Sequence, residues 1–134
     1  MIEVRRLTKD EFIDLSNNAS DDVAFVRQLG EDAYNYFQGG DNSQGIVVDG
    51  VPIYCGCAKP DHYTDSIIRD GTREKYPKTL YKIVKATVIG WANILGDVRC
   101  KIISKCDEAM LIVRWIQKMG YVPLDNNVYI LKGR

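Results

Sequence analysis

One stretch constrains this chain most: Asp107-Glu108-Ala109-Met110-Leu111-Ile112-Val113-Arg114-Trp115-Ile116-Gln117-Lys118-Met119, closed by Gly120 and followed by Val128-Tyr129-Ile130-Leu131. Its apolar residues recur at spacings of three and four, which predicts an amphipathic helix over 107–119. Glycine just past the last periodic residue is a helix stop. The β-branched and aromatic run that follows predicts a closing strand over 127–132. Trp115 reads as packing, because a large ring on such a helix is ordinarily buried or half-buried.

Upstream, Ile2 to Arg6 alternates as a first strand. Thr8 with Glu11 three positions on forms a capping-box pattern that opens a short helix through Leu15, ended by Asn17, Asn18 and Ser20. A second helix is expected from about Asp21 to Phe37, with Val23, Phe25, Val26, Leu29, Ala33, Tyr34 and Phe37 near helical period. The Gly-rich stretch 38–45 reads as a loop. Ile46-Val47-Val48 and Val51-Pro52-Ile53-Tyr54-Cys55 then flank Asp49-Gly50, the dipeptide of two-residue hairpin turns, where positive φ is needed. Pro52 donates nothing to a ladder, so it should face an edge or a bulge. A third strand is expected from Tyr63 to Ile68, ended by Arg69-Asp70-Gly71-Thr72-Arg73. Pro77 suits the first turn of a long helix, in which Leu80, Ile83, Val84, Thr87, Val88, Trp91 and Leu95 form one stripe before Gly96. Val98 to Ile103 is a short strand. The order β-α-α-β-β-β-α-β-α-β predicts an α/β (α+β) fold: a hairpin meander, then β-α-β-α-β, in a mixed sheet with helices on both faces.

At 134 residues the chain is read as a single domain, 1–134, large enough to bury a core without disulfides or metal. Apolar residues at 46% and charged residues at 27% match a soluble globular protein. Lys plus Arg (18) equals Asp plus Glu (18), so no net charge draws the chain to nucleic acid or to an anionic membrane. The N-terminus lacks the apolar core of a signal peptide and no run approaches membrane-spanning length, so a cytoplasmic protein with free thiols is expected. Cys55 and Cys57 lie one residue apart, with Cys100 and Cys106 far downstream. That is not zinc spacing, and on a strand residues 55 and 57 share a face as small apolar side chains.

Several segments together resemble the GNAT acyltransferases. The helix ending Lys-Met-Gly-Tyr (118–121) is similar to that family's C-terminal signature. Ile2-Glu3-Val4-Arg5-Arg6-Leu7-Thr8 is similar to its opening strand, and Val48-Asp49-Gly50-Val51-Pro52-Ile53 to its second and third strands. The resemblance implies a GNAT-like fold over nearly the whole chain. It also implies a pyrophosphate loop for acetyl-CoA at the start of the long helix, where glycines and unpaired N–H groups cradle phosphate. The matching place is Arg69-Asp70-Gly71-Thr72-Arg73-Glu74-Lys75-Tyr76-Pro77-Lys78, so Arg69, Gly71, Thr72, Arg73 and Lys78 are the candidate cofactor ligands. It departs from the family pattern in having one glycine, two acids and a proline, and it also reads simply as a solvated charged turn. Ile116 stands four residues before Gly120, where active members carry a tyrosine that protonates the departing thiolate. More narrowly, the hairpin, the charged loop and the basic long helix resemble small GNAT-like proteins of T7-like bacteriophages, associated with internal virion assembly.

If the chain is an enzyme, the resemblance implies transfer of an acyl group from acetyl-CoA to an amine. The candidate bases are then Asp65 on the expected central strand, Glu31 or Asp32 on the second helix, and His62. His62 is the only histidine and the only side chain whose ordinary pKa suits base work near neutrality, although in Pro-Asp-His-Tyr it also reads as a turn residue. Tyr54, Tyr63 and Tyr81 either shape a cleft or pack. The missing loop glycine and Ile116 favour a catalytically degenerate protein that acts through a protein partner, with homo-oligomers admitted. Phe25, Tyr34, Tyr36, Phe37 and the 38–45 loop are then the expected contact surfaces, and host cytoplasm the expected setting. The alternative is an N-acetyltransferase with an atypical loop.

Overall fold

A computed structural model describes residues 1–19, 31–38, 40, 42–102 and 107–133. It divides into two compact units, Met1–Ala58 with Asp65–Pro77, and Lys59–Thr64 with Lys78–Arg134. The elements in chain order are β1 (Ile2–Arg5), α1 (Lys9–Asn17), α2 (Glu31–Gln38), β2 (Ser43–Val48), β3 (Val51–Ala58), β4 (Thr64–Ile68), α3 (Thr72–Lys75), α4 (Pro77–Leu95), β5 (Asp97–Lys101), α5 (Asp107–Met119), β6 (Val122–Asp125) and β7 (Val128–Lys132). This is the mixed α/β class expected, with two additions: the one-turn α3 and the strand β6.

The first unit is built on a four-stranded sheet in the order β1-β2-β3-β4. β2 and β3 are the expected hairpin. Asp49 and Gly50 turn at φ 50° and 80°, which brings Val48 opposite Val51. The register slips between Ile46 and Val47, where Pro52 pairs with Val47, so the proline sits at a bulge as its missing donor requires. Thr8 caps α1 through the expected capping box with Glu11. The apolar sides of α1 and α2 cover one face of β3. Leu7, Phe12, Leu15, Ala33 and Phe37 close with Val47, Cys55, Cys57 and Ile67 into one buried cluster, with Tyr34 packed against it. Each large side chain so buried is worth about 1.5–3 kcal/mol. Cys55 and Cys57 share that face, as their spacing predicts.

Three expectations change here. Residues 20–30 lie outside the described residues, so only the part of the second helix from Glu31 is seen. The loop expected over 38–45 is shorter, because β2 already begins at Ser43; Gly45 is buried and pairs with both Arg5 and Cys55. The aromatic contact surface on that helix is largely core: Phe37 is 1% exposed and Tyr34 stacks edge-on against Phe12, which leaves Tyr36 on the surface, with Phe25 outside the described residues.

In the second unit, α4 buries Leu80, Val84, Thr87, Val88 and Trp91 of the expected stripe together with Ala92, while Ile83 and Leu95 are half-buried. Gly96 (φ 92°) ends it, donating its N–H to Ala92 O at 2.8 Å. The sheet order is β5-β7-β6, all antiparallel, with Asp97 opposite Lys132 and Val122 opposite Ile130. Tyr63 makes a parallel bridge to Arg99. Half-buried Trp115 on α5 meets Tyr81 edge-on at 6.3 Å. No helix among the described residues is long and apolar enough to cross a membrane.

Candidate functional site

The loop after β4 is held from several sides. The Arg69 N–H donates to Ile53 O at 2.9 Å and its Nε to Pro52 O at 2.9 Å, while the far end of the guanidinium binds Asp14 Oδ2. Asp70 N–H donates to Asn18 O at 2.9 Å, and Ala19 bridges Arg69, so the segment is tied to the end of α1. Gly71 takes the left-handed conformation (φ 80°) that lets the chain turn into α3. Thr72 N–H then donates to Arg69 O, Lys75 N–H to Gly71 O and Tyr76 N–H to Thr72 O. Thr72 is buried and Arg73 half-buried, Lys75 lies over the Tyr76 ring, and Lys78 is exposed in the first turn of α4. Of the five residues the family resemblance assigns to a pyrophosphate, Arg69, Gly71 and Thr72 thus have clear structural duties.

Asp65 lies on β4, which stands last in its sheet order rather than centrally. Its Oδ2 accepts the Tyr36 hydroxyl from α2. Glu31 begins the same helix, so the topology brings that helix to Asp65, but the side chain of Glu31 lies outside the described residues. Tyr36 was not marked in the sequence as the partner of Asp65.

His62 lies in the second unit, in a tight turn where its N–H donates to Lys59 O and its carbonyl accepts from Arg99 N–H, both at 2.8 Å. Its φ is 71°, an uncommon value for a non-glycine residue. Its Nδ1 is 2.7 Å from Asp97 Oδ1. An ionised carboxylate only accepts, so Nδ1 carries a proton, and in the neutral form of the ring Nε2 is a lone pair. The residues around it, Pro60, Asp61, Leu95, Gly96, Asp97 and Arg99, line an open cleft of about 500 Å³. Asp97 is the residue the sequence did not reveal. It follows a helix-stopping glycine, and nothing local marks its partner 35 positions away.

On α5, Ile116 is buried, so the position four residues before Gly120 belongs to the core and offers no proton donor. Tyr81 spends its hydroxyl on Lys118 O at 3.0 Å, and Tyr54 is 1% exposed, so both are packing residues. Burial pushes the Cys55 thiol up to about 12, and Gln38 donates to its sulfur at 3.2 Å. Among the described residues, no cluster of three or more His, Cys, Asp or Glu is placed to hold a metal ion.

No protein-family model and no curated protein sequence matches the chain. Solved structures do. A GNAT-family structure from Desulfovibrio desulfuricans superposes with a TM-score of 0.66 at 14% identity, covering 98% of this chain and 99% of that one. A GNAT-family acetyltransferase from Staphylococcus aureus gives 0.65 at 8% identity, with 100% of both chains covered. A chimera of spermidine N-acetyltransferase SpeG from Vibrio cholerae and hSSAT gives 0.63 at 13% identity, covering 97% and 96%. Likeness over whole chains at such low identities is a likeness of fold, and the fold of this protein is that of the GNAT acetyltransferases.

Proposed function

We propose that this chain uses a GNAT-like fold as a scaffold for protein–protein contact rather than for acyl transfer, in the manner of the small GNAT-like proteins of T7-like phages that serve virion assembly. The supporting observation is the loop over 69–76. A pyrophosphate cradle needs backbone N–H groups and a cation aimed outward. Here the N–H groups of Thr72, Lys75 and Tyr76 close onto the loop's own carbonyls, and the Arg69 guanidinium is spent on Pro52 and Asp14. Buried Ile116 fits the same reading, because no proton donor stands where the resemblance would put one. The exposed apolar side chains of Met110, Leu111, Val122 and Leu124 supply surface for a partner protein or a second copy. Host cytoplasm is the setting this reading implies.

Acyl-CoA-dependent N-acetylation is the second reading, favoured by a fold whose solved neighbours are acetyltransferases. Isothermal titration with acetyl-CoA, and with CoA for comparison, separates the two. The scaffold reading expects no saturable heat from folded protein. Micromolar binding that is lost in Arg73→Ala and Lys78→Ala would replace it with the acyltransferase reading.

A further inference from the structure

The cleft beside His62 holds a second feature that the scaffold reading does not use. Arg99 lies two residues after Asp97 on β5, so both side chains leave the same face of the strand. Arg99 Nε is buried and has no hydrogen-bond partner among the described residues, and no acidic group there forms an ion pair with this guanidinium. A buried guanidinium nitrogen without an acceptor is costly, and the rest of this half-buried guanidinium is the part a ligand in the cleft can reach. His62 lines the same cleft, and because its Nδ1 is taken by Asp97, Nε2 is the ring nitrogen left for a ligand, as a lone pair in the neutral ring. The backbones carrying the two groups are joined by the Arg99 N–H to His62 O bond at 2.8 Å, so their spacing is set by the fold. Pro60 and Leu95 give the cleft apolar lining.

We propose that this cleft binds a small oxyanion that also carries a hydroxyl group, such as hydrogen phosphate or an α-hydroxycarboxylate. The two polar groups ask for different things. Arg99 offers N–H donors in a planar fork and wants an oxyanion. His62 in its neutral form, with its proton held toward Asp97, wants a donor at Nε2. A simple carboxylate meets only the first demand. A ligand with P–OH, or with a hydroxyl beside its carboxylate, meets both. Asp61 in the cleft lining and Asp97 at the ring nitrogen work against bare negative charge, which is why the hydroxyl contact should count.

The chain has one histidine, so its imidazole resonances are unambiguous. The experiment follows the His62 ring by ¹H–¹⁵N correlation near neutral pH while inorganic phosphate, glycolate, acetate or chloride is added to the full chain at constant ionic strength. Saturable shifts are expected with phosphate, glycolate or both, with dissociation constants on the order of 1 mM. Which of the two binds more tightly identifies the ligand class. Acetate should bind at least about fivefold more weakly than glycolate, and chloride not at all. Arg99→Gln should weaken binding by about tenfold or more, and Arg99→Lys by less, since a point charge replaces the fork. The backbone amide spectrum of each variant reports folding, and if Arg99→Gln is unfolded the Arg99→Lys comparison decides. Absence of saturable shifts with both ligands, acetate binding as tightly as glycolate, or binding unchanged in the folded Arg99 variants would overturn the proposal.

Discussion

Glu11 serves α1 and β1 together. Its carboxylate accepts the Thr8 N–H at 2.9 Å to complete the capping box, and it takes both arms of Arg5 at 2.8 Å. The Arg5 hydrogen bond is the largest influence on its acidity, and with the Thr8 contacts it brings the carboxyl from 4.5 down to about 2 despite some desolvation. A folded-state pKa below the unfolded one gives stability that is present above the unfolded value and lost as pH falls through the folded one. The window is therefore from 4.5 down to about 2. Glu11→Gln keeps a capping acceptor but removes the charge. It should cost roughly 0.5 kcal/mol near neutrality, as exposed pairs do, and flatten the fall in Tm across that window. Thr8→Ala should cost about 1 kcal/mol at any pH, as the loss of an N-cap does. Equal pH slopes for wild type and Glu11→Gln would show that the charge pair is idle. Cys55 is the opposite case, a buried thiol pushed up to about 12. A disulfide reagent at about pH 8 should leave it unlabelled in the native protein and label it after unfolding, because the thiolate is the reacting form.

Among the elements, the β2–β3 hairpin was legible because Asp49-Gly50 imposes its geometry locally, and α1 because Thr8 and Glu11 mark its start. β6 was not legible. Val122-Pro123-Leu124-Asp125 carries a proline and is exposed throughout, so neither alternation nor burial betrays it. It is tolerated as a strand because it lies on an edge, where a missing N–H breaks no ladder. The start of β2 was hidden for a related reason. Gly45 looks like loop composition but is a close-packing position: an added Cβ would lie 2.8 Å from Arg5 O and 2.5 Å from Leu7 Cδ2. Gly45→Ala should therefore destabilise by about 1–3 kcal/mol through overpacking. At Gly50 an added Cβ meets nothing within 4 Å, and Gly50→Ala carries only the positive-φ penalty of about 1 kcal/mol. Thermal denaturation should rank Gly45→Ala below Gly50→Ala. The reverse order would mean that β1 and Leu7 yield easily.

At the scale of the whole molecule, element order was readable from periodicity and stop signals, whereas the pairings that define candidate sites were not. His62 with Asp97, Tyr36 with Asp65 and Arg69 with Asp14 join residues 35, 29 and 55 positions apart. Such pairs depend on strand register and helix phase, which no local pattern encodes. Charge is different, because it sums over the chain and needs no register. Eighteen basic and eighteen acidic residues leave no net charge near neutrality, and the isoelectric point is near 6.6. Non-specific binding to DNA comes almost wholly from cations displacing counterions, with log affinity falling by about 0.9 per phosphate neutralised for each unit of log salt. A chain whose cations are equalled in number by its carboxylates, some of them paired as Arg5 is with Glu11 and Arg69 with Asp14, has little net charge to spend in that way. Fluorescence anisotropy with a labelled duplex at physiological salt should show no saturable binding even at protein concentrations of about 0.1 mM. A dissociation constant in the ordinary non-specific range of about 10⁻⁴–10⁻⁶ M, with a salt slope of several charges, would mean that Lys and Arg gather on one face strongly enough to defeat the neutral sum. The partner sought for this scaffold would then be a nucleic acid instead of a protein.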